Sequence, residues 1–329
     1  VPDYIDRPWG DGRFPPLYCP PTPRVDDALA EEVNKRLVVW AEETGIYPDR
    51  IDKFRDTGFG RLATLAHPDS DDPDMILISA MLNAGWWASD DYFADETSLG
   101  ANPDETPGQL ALVMSAMDPP PPAGEHTAPL ERAITSSPVL MALRSATEYL
   151  TGRASRAQVM RVCNITSQMY VSWNAYVAWR RSGRLPSAWR YLGARQHDSF
   201  YTSMTLIDIV GGYELPPDLF ADRRFHHALM RAGTASVIVN DLHSLAREAA
   251  DELPDSNLAL LIAADRGCPL DDAIVACVEL HNQFVRDFEA SCRDLADEPC
   301  PELHRFLRGA RDWMGGGFEW HSTSPRYQQ

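Results

Sequence analysis

Apolar residues in this chain recur at the period of an α-helix and almost nowhere at the period of a strand. Leu29, Val33, Leu37 and Trp40 fall at i, i+4, i+8 and i+11 behind the acidic pair Asp26 and Asp27, a helix start followed by one apolar face. The same pattern fits segments 74–93, 107–117, 138–151, 155–181, 194–210, 223–250, 270–297 and 302–314. Between them lie chain breakers: 68–73 with two prolines and three aspartates, the proline run 119–122, 182–186, 214–217 and 267–269. No run of alternating strands and no internal repeat is visible. About nine helices with short connections predict an all-α, single-domain helical bundle over residues 26–329. Residues 1–25 carry Pro8, Trp9, Phe14, Pro15, Pro16, Tyr18, Pro20, Pro21 and Pro23, which predicts an irregular strap lying on the folded body.

At 329 residues with 44% apolar and 24% charged content, the chain can bury a sizeable core. Forty-eight Asp and Glu against 30 Lys and Arg give a net charge of −18, which excludes a nucleic-acid binder and an anionic-membrane binder. Only Lys35 and Lys53 are lysines, so contacts to phosphate would come mainly from Arg, whose fork suits phosphate oxygens. No segment has the length and apolarity to insert in a membrane, and no signal peptide is visible. Six cysteines without CxxC spacing are too sparse for a disulfide framework and predict a reduced, cytoplasmic protein.

Two polar motifs carry chemistry. Asp90, Asp91, Asp95 and Glu96 crowd the end of an apolar helix that contains Met81, Leu82, Trp86 and Trp87. On an α-helix Asp91 and Asp95 would share a face. Carboxylates there repel one another and the partly negative helix C-terminus, a conflict that a divalent cation resolves. The alternative is a solvated acidic loop. Further on, Asn240, Ser244 and Glu248 follow an apolar run at spacings of four, drifting only about 40° per step and forming one stripe. Amide, hydroxyl and carboxylate oxygens make a hard-cation ligand set suited to Mg²⁺, which typically leaves positions for substrate phosphate oxygens. The alternative here is the polar side of an ordinary amphipathic helix. Arg326 and Tyr327 could hold a phosphate oxygen, but carry no signal alone.

Taken in order, Asp90-Asp91-x3-Asp95, Asn240-Asp241-x2-Ser244-x2-Arg247-Glu248 and Arg326-Tyr327 resemble the aspartate-rich, NSE and RY motifs of bacterial class I terpene cyclases. The likeness runs from about residue 18 to the end. It implies an enzyme that ionises a prenyl diphosphate with three Mg²⁺ held by Asp90, Asp91, Asp95, Asn240, Ser244 and Glu248. It implies that Arg195, Arg247, Arg326 and Tyr327 bind the diphosphate. It places Arg195 as the diphosphate sensor, Asp198 as the linker and Ser199 at the effector position, where many members have Gly. Stretches such as Leu17-Tyr18-Cys19-Pro20-Pro21, Gly211-Gly212-Tyr213-Glu214-Leu215-Pro216 and Glu319-Trp320-His321 resemble a subgroup acting on 2-methylgeranyl diphosphate, a C11 substrate. That subgroup ends either in water capture, giving an alcohol, or in proton loss, giving an olefin. A C15 substrate, farnesyl diphosphate, is the other reading within the family, and a homodimer is an expected partner state.

An allylic cation needs an apolar cavity and π-faces. Trp86, Trp87, Phe93, Tyr170, Trp173, Phe200 and Trp320 are candidates, with Trp320 preferred for its place before Arg326 and Tyr327; core packing is the alternative role for each. His243 and His321 are assigned no metal or base role, since Mg²⁺ prefers oxygen. Gly315, Gly316 and Gly317 predict a hinge, with residues 315–329 as a lid closing over the diphosphate. A chain-elongating prenyltransferase is disfavoured, because the second motif is Asn/Ser/Glu rather than Asp-rich. A non-catalytic helical scaffold would need no paired metal motifs.

Overall fold

The computed structural model describes residues 2–5, 15–95, 101–249 and 257–327, and contains no β-strand among them. The helices are α1 (Asp27–Thr44), α2 (Ile51–Thr57), α3 (Phe59–Ala66), α4 (Pro73–Asp90), α5 (Thr106–Met117), α6 (Thr127–Ser136), α7 (Pro138–Thr151), α8 (Arg156–Ser182), α9 (Ala188–Arg195), α10 (Tyr201–Met204), α11 (Ile207–Val210), α12 (Pro217–Phe220), α13 (Arg223–Glu248), α14 (Leu258–Arg266), α15 (Leu270–Asp294) and α16 (Pro301–Thr323). No helix among the described residues is long and apolar enough to cross a membrane.

Local chemistry sets most boundaries. Asp26 caps α1 by accepting from the Leu29 N–H at 2.9 Å, and Asp72 caps α4 ahead of Pro73. Ser155 and Gln158 form a reciprocal capping box on α8. Gly45, Gly183 and Gly267 end α1, α8 and α14 in the left-handed conformation that glycine adopts without strain. α13 is central, packed against α15, α16, α14 and α10, while α4 packs against α1, α3 and α7. The core between them is dominated by large buried groups, among them Trp313, Trp320, Tyr201, Phe225 and Phe306.

Residues 15–25 cross α15 and α16 as an irregular segment. The Tyr18 N–H donates to Asn282 Oδ1 at 2.9 Å, Asn282 Nδ2 donates to the Pro16 carbonyl, and Leu17 and Cys19 are buried. Residues 6–14 lie outside the described residues.

Three sequence expectations are corrected. Segment 194–210 is not one helix: the chain breaks after Arg195, where the Ser199 hydroxyl donates to the Gln196 carbonyl and accepts from the Tyr201 N–H, a side-chain competition for backbone groups. Gly315, Gly316 and Gly317 are not a hinge but the interior of α16, which continues to Thr323. A β-carbon on Gly316 would sit 2.3 Å from the Leu65 carbonyl oxygen, and one on Gly315 would sit 2.6 Å from that of Pro20. These glycines let α16 lie directly on the backbones of α3 and the strap. Finally, α4 gives way at Asp91 to a π-helical turn, Asp91–Asp95, so Asp91 and Asp95 do not stand at α-helical spacing.

Candidate active site

The cavity opens between α4, α8, the 196–200 break, α13 and the C-terminal tail, with a volume of about 1030 Å³ including its open mouth. The register along each helix sorts the lining by depth. On α8, Arg180 and Met169 both line it, eleven residues and so roughly 16 Å apart along the axis. On α4, Trp86 lies one turn inward of Asp90; on α13, Val237 lies inward of Asn240. Charged and amide groups therefore ring the mouth, whereas Trp86, Trp87, Met169, Trp173, Val177, Phe200 and Val237 line the wall behind.

Arg195 is the centre of the mouth. Its Nη2 donates to Asp241 Oδ1 at 2.7 Å and to Asn240 Oδ1 at 3.2 Å, and its Nη1 donates to Asp198 Oδ2 at 2.7 Å. Burial works against the charge, but Asp241 and Asp198 outweigh it and hold the guanidinium cationic, well above its usual pKa. The carboxylates are held in turn. Trp173 Nε1 donates to Asp198 Oδ1 at 2.8 Å, and the Tyr191 hydroxyl and the Leu258 N–H donate to Asp241 Oδ2 at 2.9 and 3.0 Å. Asn257 caps α14 and donates from Nδ2 both to the Asp241 carbonyl at 2.6 Å and to Glu248 Oε2 at 2.7 Å.

Asn240 is oriented from behind. His321 Nδ1 lies 2.6 Å from the Gly317 carbonyl, which can only accept, so Nδ1 carries the proton and Nε2 accepts from Asn240 Nδ2 at 3.1 Å. Burial, with His243 and Arg326 nearby, pushes the His321 pKa down to about 3 and keeps the ring neutral. The Tyr327 hydroxyl accepts a second bond from Asn240 Nδ2 at 2.9 Å. The amide oxygen is thereby turned toward Arg195.

The first motif divides its labour. Asp90 lines the cavity. Asp91 does not: its Oδ2 accepts from the Tyr47 hydroxyl at 2.6 Å, and its Oδ1 faces Arg326 at 3.6 Å. Tyr47 is the only non-glycine with positive φ among the described residues, 51°, a costly conformation for a bulky side chain that persists where packing over-determines it. Here the Tyr92 hydroxyl receives the Tyr47 N–H, and Phe54 stacks on the ring. Arg180 ties α8 to the π-turn by donating to the Ala94 carbonyl at 2.9 Å. The side chains of Asp95 and Arg247, and residue Glu96, lie outside the described residues.

The structure thus brings Asp90, Arg195, Asp198, Ser199, Asn240, Glu248, Arg326 and Tyr327 to one cavity. Ser244 is buried one turn from Asn240, its Oγ donating to the Asn240 carbonyl at 2.9 Å while its lone pairs stay available. Trp320 is not on the cavity wall. It packs behind Trp87 and Tyr327, and its Nε1 donates to the Thr57 and Gly58 carbonyls. Of the other aromatics, Trp86, Trp87, Trp173 and Phe200 line the cavity. Phe93 and Tyr170 pack on the core instead.

The supports Tyr47, Arg180, Asp241, Asn257 and His321 escaped sequence reading, because each acts through a neighbour distant in the chain. Asp241, beside Asn240, and His321, beside Trp320, were visible in the sequence, but not in these roles.

The donors suit Mg²⁺: Asp90 on one side and Asn240, Ser244 and Glu248 on the other offer only oxygen. Among the described residues no three His, Cys, Asp or Glu cluster as a metal site, since two donors of the second motif are an amide and a hydroxyl. Arg326 lines the mouth with its Nε–H buried and without a partner among the described residues, an orphan donor that a phosphate oxygen would satisfy.

Residues 82–287 match the family described as terpene synthase family 2, C-terminal metal binding. The chain is 34% identical to the 2-methylisoborneol synthase of Streptomyces ambofaciens, over 94% of this chain and 71% of the relative. It is 34% identical to that of Saccharopolyspora erythraea, over 95% and 89%. The crystal structure of 2-methylisoborneol synthase from Streptomyces coelicolor A3(2), in complex with Mg²⁺ and 2-fluoroneryl diphosphate, superposes with a TM-score of 0.91 at 33% identity, covering 97% of this chain and 98% of that one.

Proposed function

The chain belongs to the terpene synthase family, and from that premise we propose that it ionises 2-methylgeranyl diphosphate, cyclises the resulting cation and quenches it with water to 2-methylisoborneol, releasing diphosphate. One observation carries the reading: an aromatic, apolar cavity whose mouth sets Asp90 against Asn240 and Glu248, with Arg195, Arg326 and Tyr327 beside them. The similarity to 2-methylisoborneol synthases along nearly the whole chain supports the choice of substrate.

Mg²⁺ is the cofactor; three ions bound by Asp90, Asn240, Ser244 and Glu248, with Asp95 the second carboxylate of the aspartate motif, would supply the Lewis acidity that makes diphosphate a good leaving group, whereas Asp91 is engaged by Tyr47 and Arg326. Everything else falls to the chain. Arg195, held charged by Asp198 and Asp241, brings its positive charge to the diphosphate, and its long Nη1–H bond to the Asp198 carbonyl at 3.4 Å is the one a phosphate oxygen would replace; fixed charge of this kind is worth most where water is excluded. Arg326 brings its orphan Nε–H, Tyr327 its hydroxyl, and Arg247 belongs to the same set. Asp198 joins Arg195 to the 196–200 break, so a pull on the sensor is felt at Ser199. The C–O bond breaks with its electron pair leaving on diphosphate. The faces of Trp86, Trp87, Trp173 and Phe200 then shield and support the cation. Trp320 acts through Trp87 and Tyr327.

Product analysis by gas chromatography with geranyl, 2-methylgeranyl and farnesyl diphosphates in the presence of Mg²⁺ tests the reading. One methyl in an apolar pocket corresponds to roughly 10- to 200-fold in kcat/KM, so 2-methylgeranyl diphosphate should lead geranyl diphosphate by that factor. A higher kcat/KM with farnesyl diphosphate, or 2-methylenebornane as the sole product, would overturn it. A cytoplasmic setting fits the six unpaired cysteines. Sedimentation velocity tests the proposed homodimer.

A further inference from the structure

The segment from the end of α1 to the start of α3 takes the left-handed backbone conformation three times, at Gly45, Tyr47 and Gly58. Glycine meets that geometry without strain, but Tyr47 brings a bulky side chain to a φ of 51°. Such strain persists where surrounding contacts over-determine it, and it concentrates at functional sites. The contacts of Tyr47 lead to the cavity mouth. Its ring stacks on Phe54 and meets Tyr92 edge-on, with centroids 5.5 and 5.4 Å away. Its N–H donates to the Tyr92 hydroxyl at 2.9 Å, and its own hydroxyl donates to Asp91 Oδ2 at 2.6 Å. Burial and the Asp91 charge hold the Tyr47 phenol far above its ordinary pKa, so the hydroxyl stays a donor. Asp91 Oδ1 faces Arg326 Nη2 at 3.6 Å, so Tyr47 and Arg326 are the side-chain partners of Asp91 among the described residues. The same segment grips the tail a second time. The Thr57 carbonyl accepts from Ser324 Oγ at 3.2 Å and from Trp320 Nε1 at 3.1 Å, just ahead of Arg326.

We propose that Tyr47 is a positioning residue for diphosphate binding: its hydroxyl commits Asp91 to Arg326 and so sets that guanidinium at the mouth of the cavity. The proposal rests on the reading of Arg326 as a diphosphate ligand. Tyr47 itself does not line the cavity, whereas Arg326 does. The two oxygens of a carboxylate are rigidly related, so a short, charge-assisted bond on Oδ2 also fixes where Oδ1 points. With Asp91 so fixed, its negative charge draws Arg326 to one place. A free arginine side chain loses considerable rotamer freedom when it binds a ligand, and a fixed counter-charge removes much of that freedom beforehand. Packing alone does not require the hydroxyl, because a phenylalanine would fill the same space against Phe54 and Tyr92. What the hydroxyl adds is the aim of Asp91, and through it the aim of Arg326.

The test is the dissociation constant of inorganic diphosphate in the presence of Mg²⁺, measured by isothermal titration calorimetry on the parent, Tyr47→Phe, Arg326→Ala and the double variant. Tyr47→Phe should raise the constant about 10-fold, the lower end of what one hydrogen bond to a charged group is worth. In the Arg326→Ala background the same change should do nothing, because residues that act through one another are not additive. A merely structural role for Tyr47 would weaken binding by the same factor in both backgrounds. That result, or a parent-like constant in Tyr47→Phe, overturns the proposal while Arg326→Ala still binds weakly. A parent-like constant in Arg326→Ala overturns the reading of Arg326 as a ligand, and the proposal with it. A second measurement keeps the hydroxyl and so does not depend on the folding of Tyr47→Phe. A single 3-fluorotyrosine at position 47 should change its fluorine NMR shift when Mg²⁺ and saturating diphosphate are added, and should not do so in Arg326→Ala. No change in the parent, or the same change in Arg326→Ala, would also overturn the proposal.

Discussion

Gly316→Ala adds one carbon where two helix backbones meet. Its β-carbon would lie 2.3 Å from the Leu65 carbonyl oxygen, 2.5 Å from the Leu65 carbonyl carbon and 3.0 Å from the Ala66 nitrogen. Ordinary contacts begin at 3.4 Å, so α16 must recede from α3 by 3.4 − 2.3, about 1 Å. No side chain can rotate aside, because every one of these atoms is backbone. Overpacking typically costs 1–3 kcal/mol, and this site belongs at or just above the upper end. Alanine offsets about 1 kcal/mol through its better helix propensity. The net loss is about 2 kcal/mol, or a fall in Tm of about 3 °C for a chain of this length. Activity should fall further than stability. α16 carries Trp320 and His321 and leads into Arg326 and Tyr327, and a misplacement of about 1 Å costs on the order of 100-fold. Gly193→Ala is the matched control: it lies within α9 with nothing within 4 Å of its β-carbon, so the same swap should stabilise by up to about 1 kcal/mol. Chemical denaturation and kcat/KM read both. A Gly316→Ala enzyme as stable as the parent would refute the close-approach argument, and full stability with lost turnover would reinstate the glycines as a hinge.

Asp90→Asn should lower kcat/KM by more than the roughly 100-fold typical of residues one shell from a metal, with the circular dichroism spectrum unchanged; near-normal turnover at unchanged Mg²⁺ dependence would remove Asp90 from the site. His321→Leu deletes the acceptor that orients Asn240 and should raise the Mg²⁺ concentration for half-maximal activity by roughly 10- to 100-fold, while His321→Gln recovers part of that loss; parent-like Mg²⁺ dependence in both would disprove the orienting role. Arg326→Ala should raise KM and also the inhibition constant for inorganic diphosphate, and an unchanged inhibition constant would place Arg326 outside the diphosphate site. Burial holds His67 and His281 neutral, both with pKa pushed down to about 4. Below about pH 6.5 the unfolded chain binds these protons and the folded chain does not, so stability is present above that pH and is lost on acidification toward pH 4. The two together should contribute about 4 kcal/mol to the loss between pH 7.5 and pH 5; a clearly smaller loss in His67→Asn/His281→Asn than in the parent would confirm the source, whereas an equal loss in both would contradict it.

Most of the long helices were legible without coordinates, whereas the short helices α2, α3, α6, α12 and α14 fell outside every segment read. Asp26, Asp72 and Ser155 mark starts, Gly45, Gly183 and Gly267 mark ends, and the apolar period between them is local chemistry that any reader of the chain can see. So were the two oxygen-rich motifs and the terminal Arg326 and Tyr327, because their donors sit at short spacings on one element each. What was not legible depends on atoms far apart in sequence. Asp90 and Asp91 are adjacent and chemically identical. Only the π-turn and the Tyr47 hydroxyl, 44 residues upstream, turn one toward the cavity and the other away from it. Asn240 looked like a ligand by spacing, but its amide is aimed by His321, 81 residues on. Arg195 stands out in the sequence only through the family resemblance; it is Asp241, 46 residues away, that fixes its fork. Gly315, Gly316 and Gly317 read as flexibility because a sequence records the missing side chain but not the backbone that fills its place. Sequence sets the conformations that each short segment prefers through its own dihedrals, caps and periodicity. Tertiary structure decides which of several equivalent polar atoms is paired and which is left facing the cavity, because that choice is made by the neighbour that desolvates it.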